Sequence, residues 1–228
     1  MIISVEGIDG AGKNTLVRAV RRELGARVLA FPRYEDSVHA QLASAALHGR
    51  MGDLADSVYS MATLFALDRR AAREELMAHA ERGVVILDRY VASNAAYSAA
   101  RLGGLAPGGA GAPGAQAFEA SEAAAGASPA EEALRWVYDL EFGRFGLPVP
   151  DLQVLLDTPP RVAARRARAR EDEDATRARD RYERDGGLQE RTYEAYRELA
   201  RRRWGGPWLV ASDPSEVVEA VRGRAEER

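Results

Sequence analysis

Apolar residues fall in short runs separated by longer stretches of helical periodicity. Ile2, Ile3 and Val5 form an apolar run of high strand propensity. Val84-Val85-Ile86-Leu87 and Leu152-Gln153-Val154-Leu155-Leu156-Asp157 are almost wholly apolar, as strands buried on both faces of a parallel sheet are. Residues 27–30 and 208–210 read as two further strands. Between them, Leu16, Val17, Val20 and Leu24 recur at helical spacing and stop at Gly25. The same periodicity predicts helices over 38–47, from a cap at Asp53 or Asp56 through Arg82, and over 91–102 and 131–145. A further helix carries Tyr193, Tyr196 and Leu199, and a last one, capped by Ser215, turns Val217, Val218 and Val221 inward. Five short strands alternating with helices predict a three-layer α/β domain on a five-stranded parallel sheet.

Two segments break the alternation. Residues 103–130 are dominated by Gly, Ala and Pro and hold no periodic face, which predicts a mobile surface excursion with a short helical piece at 115–125. Residues 163–184 interleave arginines at 165, 166, 168, 170, 177 and 179 with Asp and Glu. That pattern fits a solvated helix pair or a lid.

The first strand runs into Gly7-Ile8-Asp9-Gly10-Ala11-Gly12-Lys13-Asn14-Thr15, after which a helix opens. Gly7, Gly12 and Lys13 fit the G-x-x-x-x-G-K phosphate-binding loop in its strand–loop–helix setting. Glycine admits the backbone conformations that bring N–H groups close to an anion, and the helix N-terminus adds its positive end. The motif expects Ser or Thr after the lysine to meet Mg²⁺, and Asn14 stands there. An amide oxygen, a bridging water or Thr15 are the three substitutes this chain offers.

Composition narrows the field. The 32 Lys and Arg against 35 Asp and Glu give a net charge of −3, no basis for binding a nucleic-acid polymer. Lys13 is the sole lysine, which makes its position in the loop more telling. Absence of cysteine excludes disulfides and thiolate chemistry and fits a reducing, cytoplasmic setting. No apolar run is long enough for a membrane span. His39, His48 and His79 have no metal-ligand spacing.

Asp88 ends a buried strand, where ligands bind in open α/β sheets, and is a candidate Mg²⁺ ligand opposite the phosphate loop. Arg89 follows with a planar grip suited to phosphate. Met61, Phe65 and Arg69 share one helix face, and Asn94, Tyr97 and Arg101 share another. A ring, an amide and a guanidinium suit a planar base and its polar edge.

These segments resemble the thymidylate kinases, of the actinobacterial type, over nearly the whole chain. The motifs are VEGIDGAGKNTL, FPRY at 31–34, SVYSMATLFALDRR from 57, ILDRYVASNAAYSAAR at 86–101 and RARDRYERD at 177–185. The resemblance implies a P-loop nucleoside-monophosphate-kinase-like fold and one kinase domain. It further implies transfer of the ATP γ-phosphoryl group to dTMP, with Mg²⁺, in a homodimer. By the same resemblance, Lys13 and loop 7–15 hold ATP, and Asp9 lies near the acceptor's 3′-hydroxyl and, with Asp88, the metal. Phe65 stacks on thymine, Arg69 reaches its O4 edge and Asn94 binds its other polar edge. Tyr97 lies where a 2′-hydroxyl would protrude. Arg33 and Arg89 clamp the acceptor phosphate, Phe31 and Tyr34 line the pocket, and Tyr182 closes it. Asp180 and Glu183 anchor the lid. Gly10 leaves no loop arginine, so transition-state charge falls to Lys13, Arg89 and a lid arginine, Arg170 or Arg177. Rival readings are a kinase of the same fold for another nucleoside monophosphate, a deoxynucleoside or shikimate, and a regulatory nucleotide-binding module without transfer activity. The grouping of Phe65, Arg69, Asn94 and Tyr97 speaks against them.

Overall fold

A computed structural model of the chain describes residues 1–107, 126–173 and 180–226. The strands are β1 (Ile2–Glu6), β2 (Arg27–Ala30), β3 (Val85–Asp88), β4 (Leu152–Leu156) and β5 (Trp208–Ala211). They form one sheet, ordered β2-β3-β1-β4-β5, and every pairing is parallel. Every residue of β1 and β4 is buried, including the polar Ser4, Glu6 and Gln153 among their apolar neighbours, whereas edge strand β2 exposes both ends. Five parallel strands flanked by helices are the α/β architecture expected of a P-loop kinase.

The helices are α1 (Lys13–Leu24), α2 (Val38–Leu47), α3 (Val58–Ala71), α4 (Arg73–Arg82) and α5 (Val91–Arg101). After them come α6 (Pro129–Tyr138), α7 (Pro160–Glu173), α8 (Arg181–Arg184), α9 (Gly186–Arg201) and α10 (Pro214–Glu226). Helix α5 lies between α6 and α9, and its run of buried alanines keeps those neighbours close. No helix among the described residues is long and apolar enough to cross a membrane.

Boundaries differ from the sequence expectations in four places. The helix expected through Arg82 is two helices, α3 and α4, divided at Ala72, whose N–H is shared between the carbonyls of Asp68 and Arg69. The break turns Leu76 into the core and lets Arg73 Nε donate to the Gly146 carbonyl at 2.6 Å. The cap of α3 is Ser57, whose side chain accepts from the Ser60 N–H; Asp53 precedes a separate short turn. Helix α6 starts from a Ser128 cap and changes at Asp139–Arg144 to a π-helical turn, with Phe145 N donating to the Leu140 carbonyl. Asp213, rather than Ser215, caps α10, accepting from the Ser215 N–H at 2.7 Å with Pro214 in the first position.

The excursion expected over 103–130 falls largely outside the described residues, as does its helical piece at 115–125. The arginine-rich segment is α7 and α8 where it is described. The carboxyl ends of β1, β3 and β4 lie side by side and carry Gly7, Arg89 and Asp157, at the point where connections leave the sheet in opposite directions.

Candidate active site

Gly7, Gly10 and Gly12 all have positive φ, at 145°, 79° and 103°. Position 10 admits nothing larger, because a Cβ there would lie 2.2 Å from the Ala163 carbonyl oxygen of α7. Arg166 Nη1 of α7 and Thr158 Oγ1, just before α7, both donate to the Ala11 carbonyl of the loop, at 3.0 and 2.9 Å. Helix α1 begins at Lys13 with Gly12 in the cap position and no side-chain cap, so its N-terminus is left for an anion. Ile8 and Ala11 are buried, and Asn14 and Thr15 are exposed at the start of α1. Lys13 Nζ folds back to donate to the Gly7 and Ile8 carbonyls at 3.0 and 2.9 Å. Burial above all, then the Arg89 charge, lowers its pKa to about 8.

Arg89 follows β3 with φ 66°, a left-handed backbone that costs a non-glycine residue about 1–2 kcal/mol. Four groups hold it there. Its Nη1 donates to the Gly7 carbonyl at 3.1 Å and to Ser93 Oγ and Tyr196 Oη at 3.4 Å, and its Nη2 pairs with Asp9. Asp9 also accepts from Tyr97 Oη at 2.6 Å and Gln189 Nε2 at 3.3 Å. Burial raises the Asp9 pKa, but Arg89, Lys13 and these hydrogen bonds outweigh it and bring it to about 2. Glu6, on β1, goes the other way. Fully buried, it accepts from Ser93 Oγ at 2.7 Å through Oε2, has no partner at Oε1, and is pushed up to about 7 by burial.

Beside Asp9 and Arg89 opens a cleft with a cavity volume of about 110 Å³. Of the expected substrate residues, Phe31, Tyr34, Phe65, Arg69, Asn94 and Tyr97 line it. Asp9, Arg89, Asp180 and Tyr182 line it too. Tyr182 stacks on Tyr97 with ring centroids 6.0 Å apart, and Arg101 Nη1 donates to its hydroxyl at 2.6 Å. Asp180 and Glu183 form a capping box on α8, the helix that presents Tyr182. Arg33 lies outside the cleft lining, its Nε on Asp68 Oδ1 at 3.1 Å and its Nη2 on the Asp68 carbonyl. Arg177 and the side chain of Arg170 lie outside the described residues.

Sequence reasoning missed Glu6, Ser93, Gln189 and Tyr196 beneath Arg89. It also missed Glu141, whose oxygens accept from Arg69 Nε at 2.5 Å, Arg69 Nη2 at 2.7 Å and Asn94 Nδ2 at 2.8 Å. The available signal was a carboxylate at position 141 amid Trp136, Val137, Leu140, Phe142 and Phe145.

Among the described residues, no group of three or more His, Asp or Glu is placed to hold a metal ion. Asp88, at the end of β3, adds to the charges acting on Lys13, as Asp9 does. A pair of carboxylates beside a phosphate loop fits Mg²⁺, which keeps several waters and uses one or two carboxylates together with phosphate oxygens.

A family model described as Thymidylate kinase matches residues 5–106. Thymidylate kinases from Mycobacterium tuberculosis strains CDC 1551 / Oshkosh and ATCC 25618 / H37Rv are each 52% identical over 231 aligned positions, covering 97% of both chains. One from Xanthomonas campestris pv. campestris strain B100 is 35% identical over 178 positions, 75% of this chain and 62% of its own. A solved thymidylate kinase from Candida albicans superposes with a TM-score of 0.68 at 18% identity, over 99% of this chain and 91% of that one; it supports the fold.

Proposed function

The chain belongs to the thymidylate kinase family, and from that premise we propose how its own side chains move a phosphoryl group from ATP to dTMP. The observation that carries the reading is the bond between Arg89 Nη1 and the Gly7 carbonyl. It joins the guanidinium lining the base cleft to the loop that receives ATP, so two phosphates bound to these elements meet.

The ATP phosphates lie on loop 7–15 and the open N-terminus of α1. Lys13 exchanges its two carbonyl acceptors for phosphate oxygens, and the gain of an anionic partner restores the charge that burial disfavours. Thymine lies between Phe65 and the wall made by Arg69 and Asn94. Tyr97, held by Asp9, closes the space a 2′-hydroxyl would need, and Tyr182 covers the sugar side. Arg89 binds the acceptor phosphate, and Arg33 joins it by leaving Asp68.

One acceptor-phosphate oxygen attacks the γ-phosphorus as the bond to the β–γ bridging oxygen breaks, giving dTDP and ADP. The acceptor is already anionic, so the reaction needs alignment and positive charge rather than a strong protein base. Lys13 and Arg89 supply that charge, α7 adds Arg166, held on the Ala11 carbonyl of the loop, and a lid arginine, Arg170 or Arg177, is the further candidate. Asp9 orients Arg89 and stays ionised. Asp88 and Asp9 would hold Mg²⁺, which would offset phosphate charge.

The working unit in this reading is a cytoplasmic homodimer. Support comes from the cysteine-free composition and from Val38 and Leu42 on α2 and Tyr59 on α3, apolar groups left exposed on two helices that pack together. The test is ADP formation from ATP and Mg²⁺ with dTMP, dCMP, dGMP, AMP and thymidine. Turnover is expected with dTMP far above the rest; comparable rates with dCMP would remove the thymine assignment.

A further inference from the structure

Glu141 is fully buried in the π-helical turn after α6, and it reaches the base wall only through other side chains. One hydrogen of Asn94 Nδ2 goes to the Glu141 carboxylate at 2.8 Å and the other to the Ala62 carbonyl at 3.0 Å. Both partners are acceptors, so the amide nitrogen must face them and Oδ1 must face away, toward the cleft that Asn94 lines. The same carboxylate occupies Nε and Nη2 of Arg69, which leaves Nη1 for the cleft. The wall therefore offers an acceptor beside a donor.

We propose that Glu141 is a positioning residue that sets base selectivity: by fixing Asn94 with its oxygen outward beside the Arg69 donor, it selects a base edge carrying N–H next to C=O. Thymine and uracil present that edge at N3 and O4. Cytosine presents the reverse, an acceptor at N3 and a donor at N4, and would leave two buried groups on each side unpaired. The proposal rests on the thymine reading above.

The test compares kcat and KM for dTMP, its N3-methyl derivative and dCMP in the wild-type protein and in Glu141→Gln. Gln brings an N–H that the Asn94 oxygen can accept, which makes the flipped amide available. The dTMP-to-dCMP ratio of kcat/KM is expected to fall on the order of tenfold to a hundredfold, mainly through KM for dTMP. KM for ATP should not move. An equal loss on both pyrimidines, with the ratio unchanged, would make Glu141 merely structural and overturn the proposal. If the wild-type enzyme accepts N3-methyl-dTMP as well as dTMP, the thymine reading fails instead. Should the variant not fold, amide exchange in the wild-type protein decides: the Asn94 side-chain N–H pair is expected to exchange slowly before nucleotide is added. Exchange at the rate of a solvent-exposed amide would overturn the assignment.

Discussion

Asp9 and Glu6 lie near each other at the end of β1, yet one is held at a pKa of about 2 and the other at about 7. Asp9 meets Arg89 directly, whereas Glu6 meets hydroxyls and leaves one oxygen unpartnered. Because the folded Glu6 pKa lies above its ordinary value of 4.5, the folded state binds more protons than the unfolded state from pH 4.5 to 7. Its contribution to stability therefore falls as pH rises through that window. Glu6→Gln removes the titration, so its stability relative to wild type should rise from pH 4.5 to 7 and then level off. Urea unfolding at several pH values measures this, and a pH-independent difference would contradict it. Tyr97 makes a second prediction at this scale. Tyr97→Phe loses the hydrogen bond to Asp9, at a stability cost of about 1–2 kcal/mol. The fold should survive, and preference for dTMP over its ribose analogue should drop by about tenfold. Steady-state kinetics on the two nucleotides would show it.

The contact between α7 and the glycine loop is the element-scale counterpart. Lid chemistry is usually sought in a lid's arginines, but here the Ala163 backbone also sits so near Gly10 that a Cβ at that position would collide with it. Gly10→Ala cannot fit without moving α7, and it adds a side chain at φ 79°. A displacement of about an ångström at the reacting groups costs on the order of a hundredfold in rate. The expected outcome is that loss in kcat, with far-UV dichroism unchanged; near-normal kcat would show that α7 need not rest on the loop during transfer. Boundaries belong to this scale as well. The division at Ala72 leaves the apolar periodicity of α3 and α4 almost in phase, so no pattern in the sequence marks it. The π-helical turn that aims Glu141 inward is hidden for the same reason.

At the scale of the molecule, α5 is the spine of the base cleft. Its small residues let α6 and α9 close in, while Asn94 and Tyr97 on one side of it face the cleft. The α2–α3 surface keeps Val38, Leu42 and Tyr59 exposed. If this is where two copies meet, Leu42→Glu should shift the protein from dimer toward monomer in sedimentation. A dimer as tight as wild type would exclude this face.

The sheet, the phosphate loop and the base-facing helices were readable because each depends on local order. An apolar run makes a strand, glycine spacing makes the loop, and residues four apart on a helix share a face. That reasoning reached Phe65, Arg69, Asn94 and Tyr97. It did not reach the groups that hold them, since Glu141 bonds to Arg69 and Asn94, and Glu6, Gln189 and Tyr196 gather under Arg89 and Asp9, only after distant segments fold together. Chain order chose the chemical groups; tertiary packing decided which hydrogen-bonding side of each group faces the cleft, because that choice is made by partners remote in sequence.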